Sequence, residues 1–143
     1  MKAFDFIVLG SGFGGSLLST LLSKAGCSVA LIDQTRHPRF AIGESSTPLA
    51  DATLARIADD FDLPEIRPLA KYGVWKRTHP TITCGLKRGF SYFGHHPHQT
   101  VSADEQMLVT ASACDEYSDT HWLRSDVDQF FFGIAKKTRC TNI

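Results

Sequence analysis

Glycines crowd one short stretch near the start of the chain, Gly10-Ser11-Gly12-Phe13-Gly14-Gly15, which matches the pattern G-x-G-x-x-G. The apolar run Phe4–Leu9 precedes it and predicts a strand buried on both faces of a parallel sheet. Ser16–Ala25 follows with leucines on one helical stripe, and Gly26 predicts the end of that helix. A second apolar run, Ser28–Ile32, completes a strand–helix–strand unit. The sequence therefore predicts an α/β fold, with a Rossmann-like βαβ domain and a parallel sheet.

Each glycine of this pattern has a physical task in a turn that binds phosphate. Gly10 permits the tight turn, Gly12 lets the backbone approach a pyrophosphate, and Gly15 lets the helix pack closely on the strand. Phe13 and Gly14 lie at the start of the helix, whose unpaired N–H groups favour an anion. The context of strand, glycines and helix therefore predicts a dinucleotide-binding site.

Asp33 lies at the end of the second predicted strand. An acid at this place hydrogen-bonds a ribose hydroxyl and disfavours the 2′-phosphate of an NADP-type ligand. The alternative interpretation is a glycine turn followed by a solvated aspartate. The glycine pattern by itself does not separate FAD from NAD.

Composition excludes several other classes of protein. A chain of 143 residues with 43% hydrophobic and 21% charged residues is typical of one globular domain and argues against disorder. Fifteen Lys and Arg cancel fifteen Asp and Glu, so the chain lacks the basic excess of a general nucleic-acid or anionic-membrane binder. No apolar run approaches the ~18 residues of a membrane span. We expect a cytoplasmic protein without nucleic-acid or membrane partners.

The next informative segment follows soon after the predicted unit: Gly43-Glu44-Ser45-Ser46-Thr47-Pro48. It resembles the Gly-Glu-Ser/Ala-Thr-x-Pro motif of flavin-dependent halogenases, and related loops occur in geranylgeranyl-reductase-like flavoproteins. Gly43 allows a bend near the cofactor, while the N–H groups and hydroxyls of the loop suit polar flavin atoms or a helix cap. Thr47 and Pro48 also fit the start of a helix over Leu49–Phe61, an alternative that leaves Gly43-Glu44 unexplained. The resemblance implies flavin contacts from Gly43, Glu44, Ser45 and Ser46.

A second segment, Cys84–Gly94, looks like the halogenase segment written K-x-G-x-x-F/Y-x-W. In that family a lysine from this strand lies between flavin and substrate and engages hypohalous acid. Lys87 is the catalytic candidate by its position, since a desolvated lysine shifts its pKa and suits activation of an oxidised halide. Phe93 stands where tryptophan is frequent, and in the tryptophan-halogenase branch the lysine aligns nearer Ser91. The alternative interpretation is a strand lysine that faces solvent.

The segment His121–Asp128 resembles the x-x-x-R-x-x-x-D segment of group A flavin monooxygenases and halogenases. There the arginine lies near the FAD phosphates or ribityl chain, and Arg124 matches a pyrophosphate bidentately. A helix is predicted to begin near Ser125. The alternative interpretation is a surface arginine beside a capping Ser125, with Asp126 and Asp128 complementing the dipole of their own helix.

Two further groups of polar residues are assigned to loops. Three histidines are close in sequence without matching a known metal-ligand spacing, and we predict a polar loop at a substrate entrance and no metal site: His95, His96 and His98. A short acidic loop is predicted to be solvated: Asp115, Glu116 and Asp119.

The resemblance runs in order from Asp5 to about Ala135 and implies the FAD-binding part of a flavin-dependent halogenase-like oxidoreductase. The intact family enzyme uses reduced FAD, O2 and halide to halogenate an electron-rich aromatic substrate, with a flavin reductase as a possible electron supplier. Family members are much longer, so we expect residues 1–143 to be the N-terminal FAD-binding portion of a longer flavoprotein. Three alternatives stay open: an FAD-dependent monooxygenase, a geranylgeranyl-reductase-like oxidoreductase and a catalytically inactive nucleotide-binding remnant.

Overall fold

Strands and helices alternate at the start of the chain, and short antiparallel strands follow in its second half. The computed structural model describes residues 3–110 and 112–142. In chain order the elements are β1 (Phe6–Leu9), α1 (Phe13–Lys24), β2 (Val29–Ile32), α2 (Pro48–Asp60), α3 (Tyr72–Thr78), β3 (Cys84–Lys87), β4 (Gly89–Phe93), β5 (Gln106–Thr110), β6 (Asp119–Trp122), α4 (Arg124–Ala135) and β7 (Thr141–Asn142). Short 3-10 turns cover Arg67–Ala70, Ala103–Glu105 and Asp115–Tyr117.

The predicted strand–helix–strand unit forms one end of a parallel sheet. Its strand order is β1-β2-β7, with Phe6 beside Val29 at the start of the β1–β2 ladder. The central strand β2 is buried, as predicted. The same prediction for β1 is wrong, since Ile7 is 64% and Leu9 is 78% exposed. The reason is position, because β1 is an edge strand of this sheet in the described part of the chain.

Helix α1 packs on α4, and its buried side chains are small and polar. These are Ser16, Ser19, Thr20 and Ser23. Of the predicted leucine stripe, Leu17, Leu21 and Leu22 are partly buried against the core, whereas Leu18 is 48% exposed. Small side chains let the helix approach its neighbours closely, which leucines at these positions would prevent. Gly26 has φ +92°, so the predicted glycine stop of the helix is confirmed.

Helix α2 begins where the sequence predicts. The Thr47 hydroxyl accepts a hydrogen bond from the Ala50 N–H at 3.2 Å, and Pro48 occupies the first helical position. With 13 residues α2 is the longest described helix, and no described helix has the length and apolar character needed to cross a bilayer.

The second half of the chain forms two antiparallel strand pairs. Strand β3 pairs with β6, where Lys87 lies opposite Asp119, and β4 pairs with β5. Helices α2, α3 and α4 cover the main core, whose buried residues include Leu54, Ile66, Leu69, Trp75, Trp122, Val127 and Phe131. This core fixes the ends of β3, β6 and α4, which carry the candidate site.

Candidate functional site

The glycine turn, Gly10–Gly15, has the backbone geometry that the sequence predicts. Gly10 has φ +97°, a conformation that favours glycine, so the predicted tight turn is confirmed. A Cβ atom on Gly15 would lie 1.9 Å from the Gly10 carbonyl oxygen, which confirms that this glycine permits close packing. At Gly14 a Cβ atom would meet no described atom within 4 Å. The turn is therefore closed toward the strand and open on its outer side.

The carboxylate of Asp128, a residue of α4, lies at the start of α1. The Phe13 N–H donates to Asp128 Oδ1 at 3.1 Å, and a Cβ atom on Gly12 would lie 3.4 Å from Asp128 Oδ2. Asp128 is fully buried and complements the positive end of the α1 dipole. The interpretation that Asp128 complements its own helix is wrong, because α4 packs across the start of α1. Arg124, four residues before Asp128, is the one feature of the sequence that could have indicated a tertiary role for Asp128.

Arg124 is largely buried and links Asp128 of α4 to the segment Ile42–Gly43 through hydrogen bonds. Its Nε and Nη2 atoms donate to the Asp128 oxygens at 2.9 and 3.1 Å, and Nη1 donates to the Ile42 and Gly43 carbonyls at 2.5 and 3.1 Å. The side chain is 12% exposed, so the alternative of a surface arginine is wrong. Pairing of Arg124 with a pyrophosphate stays a prediction. The structure brings this residue to the glycine turn, with its guanidinium 4.7 Å from the Phe13 ring centre.

Asp33 is held by donors from both sides. Its Oδ2 atom accepts from the Ser11 N–H at 2.6 Å and from the Ser11 hydroxyl at 2.7 Å, while Oδ1 accepts from the Thr35 N–H at 2.9 Å. Burial by itself raises the pKa of Asp33, but these hydrogen bonds outweigh it and hold that pKa well below its usual range. The side chain is 12% exposed, so the solvated-aspartate alternative is wrong. A ribose contact stays a prediction.

A cavity of about 460 Å³ adjoins Asp33 and the end of β2. Two cationic side chains, Arg36 and Lys136, stand on its wall beside polar groups. One of those groups is the His37 ring, whose Nε2 lies 2.8 Å from the Ser11 hydroxyl. Nothing in the sequence pattern indicates Lys136 at this cavity, because Lys136 follows the end of α4, far along the chain from Asp33.

The Gly43–Pro48 loop runs antiparallel beside β6. Gly43 has φ +87°, which confirms the predicted bend. The Trp122 N–H donates to the Glu44 carbonyl at 2.7 Å, and Ser45 forms a bridge with His121. The loop therefore extends the β3–β6 pair by one short segment. Flavin contacts from Gly43, Glu44 and Ser45 stay predictions.

Ser46 and Lys87 are joined inside this arrangement. The Ser46 N–H donates to the Thr120 carbonyl at 3.0 Å, and its hydroxyl accepts from the Thr120 N–H at 3.0 Å. Lys87 donates to the Ser46 carbonyl, and its Nζ lies 3.7 Å from the Phe90 ring centre. Lys87 is 6% exposed, so the alternative of a solvent-facing strand lysine is wrong. The polar groups of Ser46 are engaged within the protein, and its flavin contact stays a prediction.

Two buried aspartates, Asp51 of α2 and Asp119 of β6, accompany Lys87; we call them the acid pair. Both are 1% exposed, so the prediction of a solvated Asp119 is wrong, because this residue lies on β6 rather than in the acidic turn before it. No described residue donates a hydrogen bond to either Asp51 oxygen or to Asp119 Oδ2. Lys71 Nζ stands 3.9 Å from Asp51 Oδ2. Sequence reasoning missed Asp51, since nothing near it in the chain indicates burial with Asp119.

The surroundings shift the acidities of these groups in opposite directions. Burial, reinforced by the neighbouring Asp119 carboxyl, raises the pKa of Asp51 to about 7, with Lys71 opposing. Burial lowers the pKa of Lys87, while the charges of Asp119 and Asp51 oppose that change. A buried lysine and two buried carboxyl groups thus share one low-dielectric site.

The predicted histidine loop lies away from these groups. His96 Nε2 lies 3.1 Å from Glu105 Oε1 on the exposed surface. Within the described ranges, no three His, Cys, Asp or Glu side chains are grouped as metal ligands.

Comparison with known proteins identifies relatives for both halves of the chain. Residues 8–53 match the family model of an NAD(P)-binding Rossmann-like domain. Monodechloroaminopyrrolnitrin halogenase PrnC of Pseudomonas fluorescens is 33% identical over 137 residues, which cover 96% of this chain and 24% of the relative. Tetracycline 7-halogenase of Kitasatospora aureofaciens is 29% identical, with 97% of this chain and 25% of the relative covered. The chain thus spans about a quarter of these proteins.

Solved structures give the same result for the fold. The crystal structure of halogenase PltM superposes with a TM-score of 0.80 and 31% identity, covering 99% of this chain and 28% of the other. PltM has also been solved in complex with phloroglucinol and FAD. The α/β architecture, the glycine turn and the sequence similarity agree, and the chain is similar to about a quarter of the length of these flavin-dependent halogenases.

Proposed function

We propose that this chain binds FAD at the glycine turn and forms part of a halogenase that acts on an aromatic substrate. The residues proposed to hold the cofactor lie on the glycine turn, at Asp33, on the loop and on α4: Gly10, Gly12, Phe13, Gly14, Gly15, Asp33, Gly43, Glu44, Ser45, Ser46 and Arg124. When bound in its reduced form, FAD supplies the redox chemistry by which O2 oxidises chloride or bromide.

The open outer side of the glycine turn supports the cofactor assignment. Added Cβ atoms on Gly10 and Gly14 would meet no described atom within 4 Å, so a phosphate has room to approach the backbone. The cavity beside Asp33 has about 460 Å³ and carries Arg36 and Lys136, cations that suit an adenosine with adjoining phosphates. The residues present therefore fit a dinucleotide.

One observation supports halogenation above the other flavoprotein activities: the ammonium of Lys87 is buried against the Ser46 carbonyl. Contacts run from the glycine turn through Asp128 and Arg124 to Gly43, at the start of the same loop. A lysine at the end of this path is a compact cation with N–H donors, suited to hold and polarise an oxidised halide. We assign Lys87 this catalytic role.

The proposal extends to partners and location. A separate flavin reductase would supply reduced FAD in the cytoplasm. The substrate would be an electron-rich aromatic ring, by analogy with the aromatic substrates implied by the names of the relatives.

A fluorescence titration with FAD, with NADH as competitor, tests the cofactor assignment. We expect saturable FAD binding that NADH does not displace. Gly12→Ala should weaken binding at least tenfold, because its methyl group occupies the path of the pyrophosphate. The fold tolerates this change, since the nearest atom is a side-chain oxygen 3.4 Å away.

Gly133→Ala is the control, since it adds the same methyl group at a helical glycine whose Cβ would meet no described atom within 4 Å. The control should bind FAD like the unchanged chain. Equal affinity of Gly12→Ala and Gly133→Ala would remove the glycine turn from the site.

Lys87→Met, placed in a full-length protein that contains this segment, tests the activity. We expect FAD binding to persist and halogenated product to disappear in an assay with an added flavin reductase. Undiminished halogenated product from Lys87→Met would mean that Lys87 has only a structural role. Hydroxylated product from the unchanged protein would favour a monooxygenase.

A further inference from the structure

Lys87 is buried together with more acid than its own charge can balance. Lys87 is 6% exposed, and the two members of the acid pair, Asp51 and Asp119, are 1% exposed each. Ionised groups in a protein interior are costly unless each is paired or hydrogen-bonded. One ammonium compensates one carboxylate, so the second carboxyl group of the pair needs another partner or a proton.

Hydrogen bonding identifies which solution the site uses. No described residue donates to Asp51 Oδ1, Asp51 Oδ2 or Asp119 Oδ2 within hydrogen-bond geometry. The nearby Ser46 hydroxyl lowers the pKa of Asp51, but by less than burial raises it. A fully ionised pair would leave these oxygens without donors in a dry environment, whereas a single proton on one carboxyl group supplies the missing donor to the other. The arrangement is that of two carboxyl groups that hold one proton between them.

The other charged groups near the site do not replace this proton. Lys71 approaches Asp51 from the segment before α3, but its Nζ is 3.9 Å away and its side chain is 41% exposed. Arg67, on the preceding 3-10 turn, is paired with Asp59 at the surface. His121, further along β6, is exposed.

We propose that Asp51 and Asp119 share one proton and together hold Lys87 as a buried ammonium ion, acting as positioning residues for that lysine. The inference rests on the proposed function for its link to halogenation, while the shared proton itself does not. Below the pH at which the pair releases this proton, the pair carries one negative charge and Lys87 one positive charge. The ammonium therefore keeps its N–H donors aimed at the Gly43–Pro48 loop although it is buried.

The geometry gives each member a distinct task. Asp119 lies directly opposite Lys87 in the β3–β6 ladder, so it is the countercharge that the sheet itself positions. Asp51 approaches from the first turn of α2, immediately after the loop whose Ser46 carbonyl accepts from Lys87. A shift of the loop relative to the sheet would thus change the distance between the two acids and the charge on the lysine together.

The test is an NMR titration of this chain with ¹³C-labelled aspartate and lysine side chains, which needs neither FAD nor substrate. We expect one carboxyl carbon of the acid pair to titrate near pH 7, far above the other aspartates. In Asp119→Asn this titration should fall by about one pH unit or more, a tenfold change in proton affinity. The Lys87 CH2 group next to Nζ should then titrate at lower pH than in the unchanged chain, because a countercharge is lost.

Asp104→Asn is the matched control, because Asp104 is exposed on the Ala103–Glu105 turn, and both titrations should be unaffected. Lys87→Met should move the carboxyl titration upward, since it removes the neighbouring positive charge. The proposal is overturned if every aspartate of the unchanged chain titrates below about pH 5, an outcome that no variant is needed to observe. It is also overturned if Asp119→Asn leaves the Lys87 titration where it was.

The outcome is independent of the cofactor assignment. FAD binding measured on the same samples decides the proposed function, whereas the carboxyl titration decides the shared proton. A chain that binds no FAD but shows the titration near neutral pH would retain the acid pair and reject the flavin site.

Discussion

The glycine turn and the buried site around Lys87 are built in different ways. The turn consists of backbone from six consecutive residues, and its shape depends on how closely Gly15 approaches Gly10. The buried site consists of side chains from three distant segments, Asp51 on α2, Lys87 on β3 and Asp119 on β6. The structure of the glycine turn is therefore sensitive to added atoms, whereas the buried site around Lys87 is sensitive to added or removed charge.

The same contrast appears in the acidity of two aspartates. Asp33, beside the turn, accepts hydrogen bonds from N–H and hydroxyl groups of Ser11 and Thr35, and its pKa is lowered. Asp51 is buried without a described donor, and its pKa is raised to about 7. Donors favour the carboxylate and burial without donors favours the neutral acid, so the environment decides the charge.

The largest effect should come from closing the space in the glycine turn. Gly15→Ala places a methyl group 1.9 Å from the Gly10 carbonyl oxygen, a backbone atom that cannot move without shifting β1 or α1. We expect a loss of about 3 kcal/mol or more in the free energy of unfolding, measured by urea denaturation.

Gly14→Ala is the control for this comparison, since its Cβ meets no described atom within 4 Å and alanine favours a helix. It should match or exceed the stability of the unchanged chain. If Gly14→Ala lost as much unfolding free energy as Gly15→Ala, the need for glycine would come from the position at the start of the helix and not from the close packing of Gly15 on Gly10.

The next effect is a pH dependence of stability that arises from Asp51. Its folded-state pKa of about 7 lies above the ordinary value of 3.8, so the folded chain binds more protons than the unfolded chain between these two values. Its stabilising contribution is complete below about pH 4 and is lost as the pH rises toward 7.

Asp51→Asn should remove this slope. Urea denaturation at a series of pH values from 4 to 8 measures it as the difference in unfolding free energy between the variant and the unchanged chain. A difference that stays constant across the series would contradict the raised pKa.

A smaller effect of opposite sign should come from Asp33. Its pKa is lowered in the folded chain, so its contribution is present above the ordinary value of 3.8 and is lost as the pH falls below it. Asp33→Asn should cost about 1.5–3 kcal/mol at neutral pH, the range for hydrogen bonds to a charged group. The same denaturation series, extended to lower pH, should show the cost shrinking below pH 4. If the cost of Asp33→Asn grew below pH 4, Asp33 would not have the lowered pKa that distinguishes it from Asp51.

Prediction from sequence succeeded where the physical cause lies within a few residues. The positive φ angle of Gly10, the helix stop at Gly26 and the hydroxyl cap of Thr47 each depend on the residue itself and its immediate neighbours. The parallel pairing of β1 and β2 is also local in this sense, because a short helix between two apolar strands leaves few other arrangements.

Prediction failed where burial depends on distant segments. The exposure of β1 follows from its edge position, and the burial of Ser and Thr side chains on α1 depends on the segments that pack around this helix. The acidic residues near Asp119 in the chain predict a loop. Its neighbour across the sheet, Lys87, is buried, and the sequence around Asp119 does not show this.

The sequence by itself determined the α/β class, the glycine turn, the identity of Lys87 and Arg124 as candidates, and the resemblance to flavin-dependent halogenases. Only the tertiary structure decided that Arg124 joins Asp128 to the Gly43–Pro48 loop, and that Lys87 is buried with Asp51 and Asp119. The reason is physical. Backbone shape depends on local residue type, whereas the charge state of a side chain depends on the groups and the water that folding brings to it or removes from it.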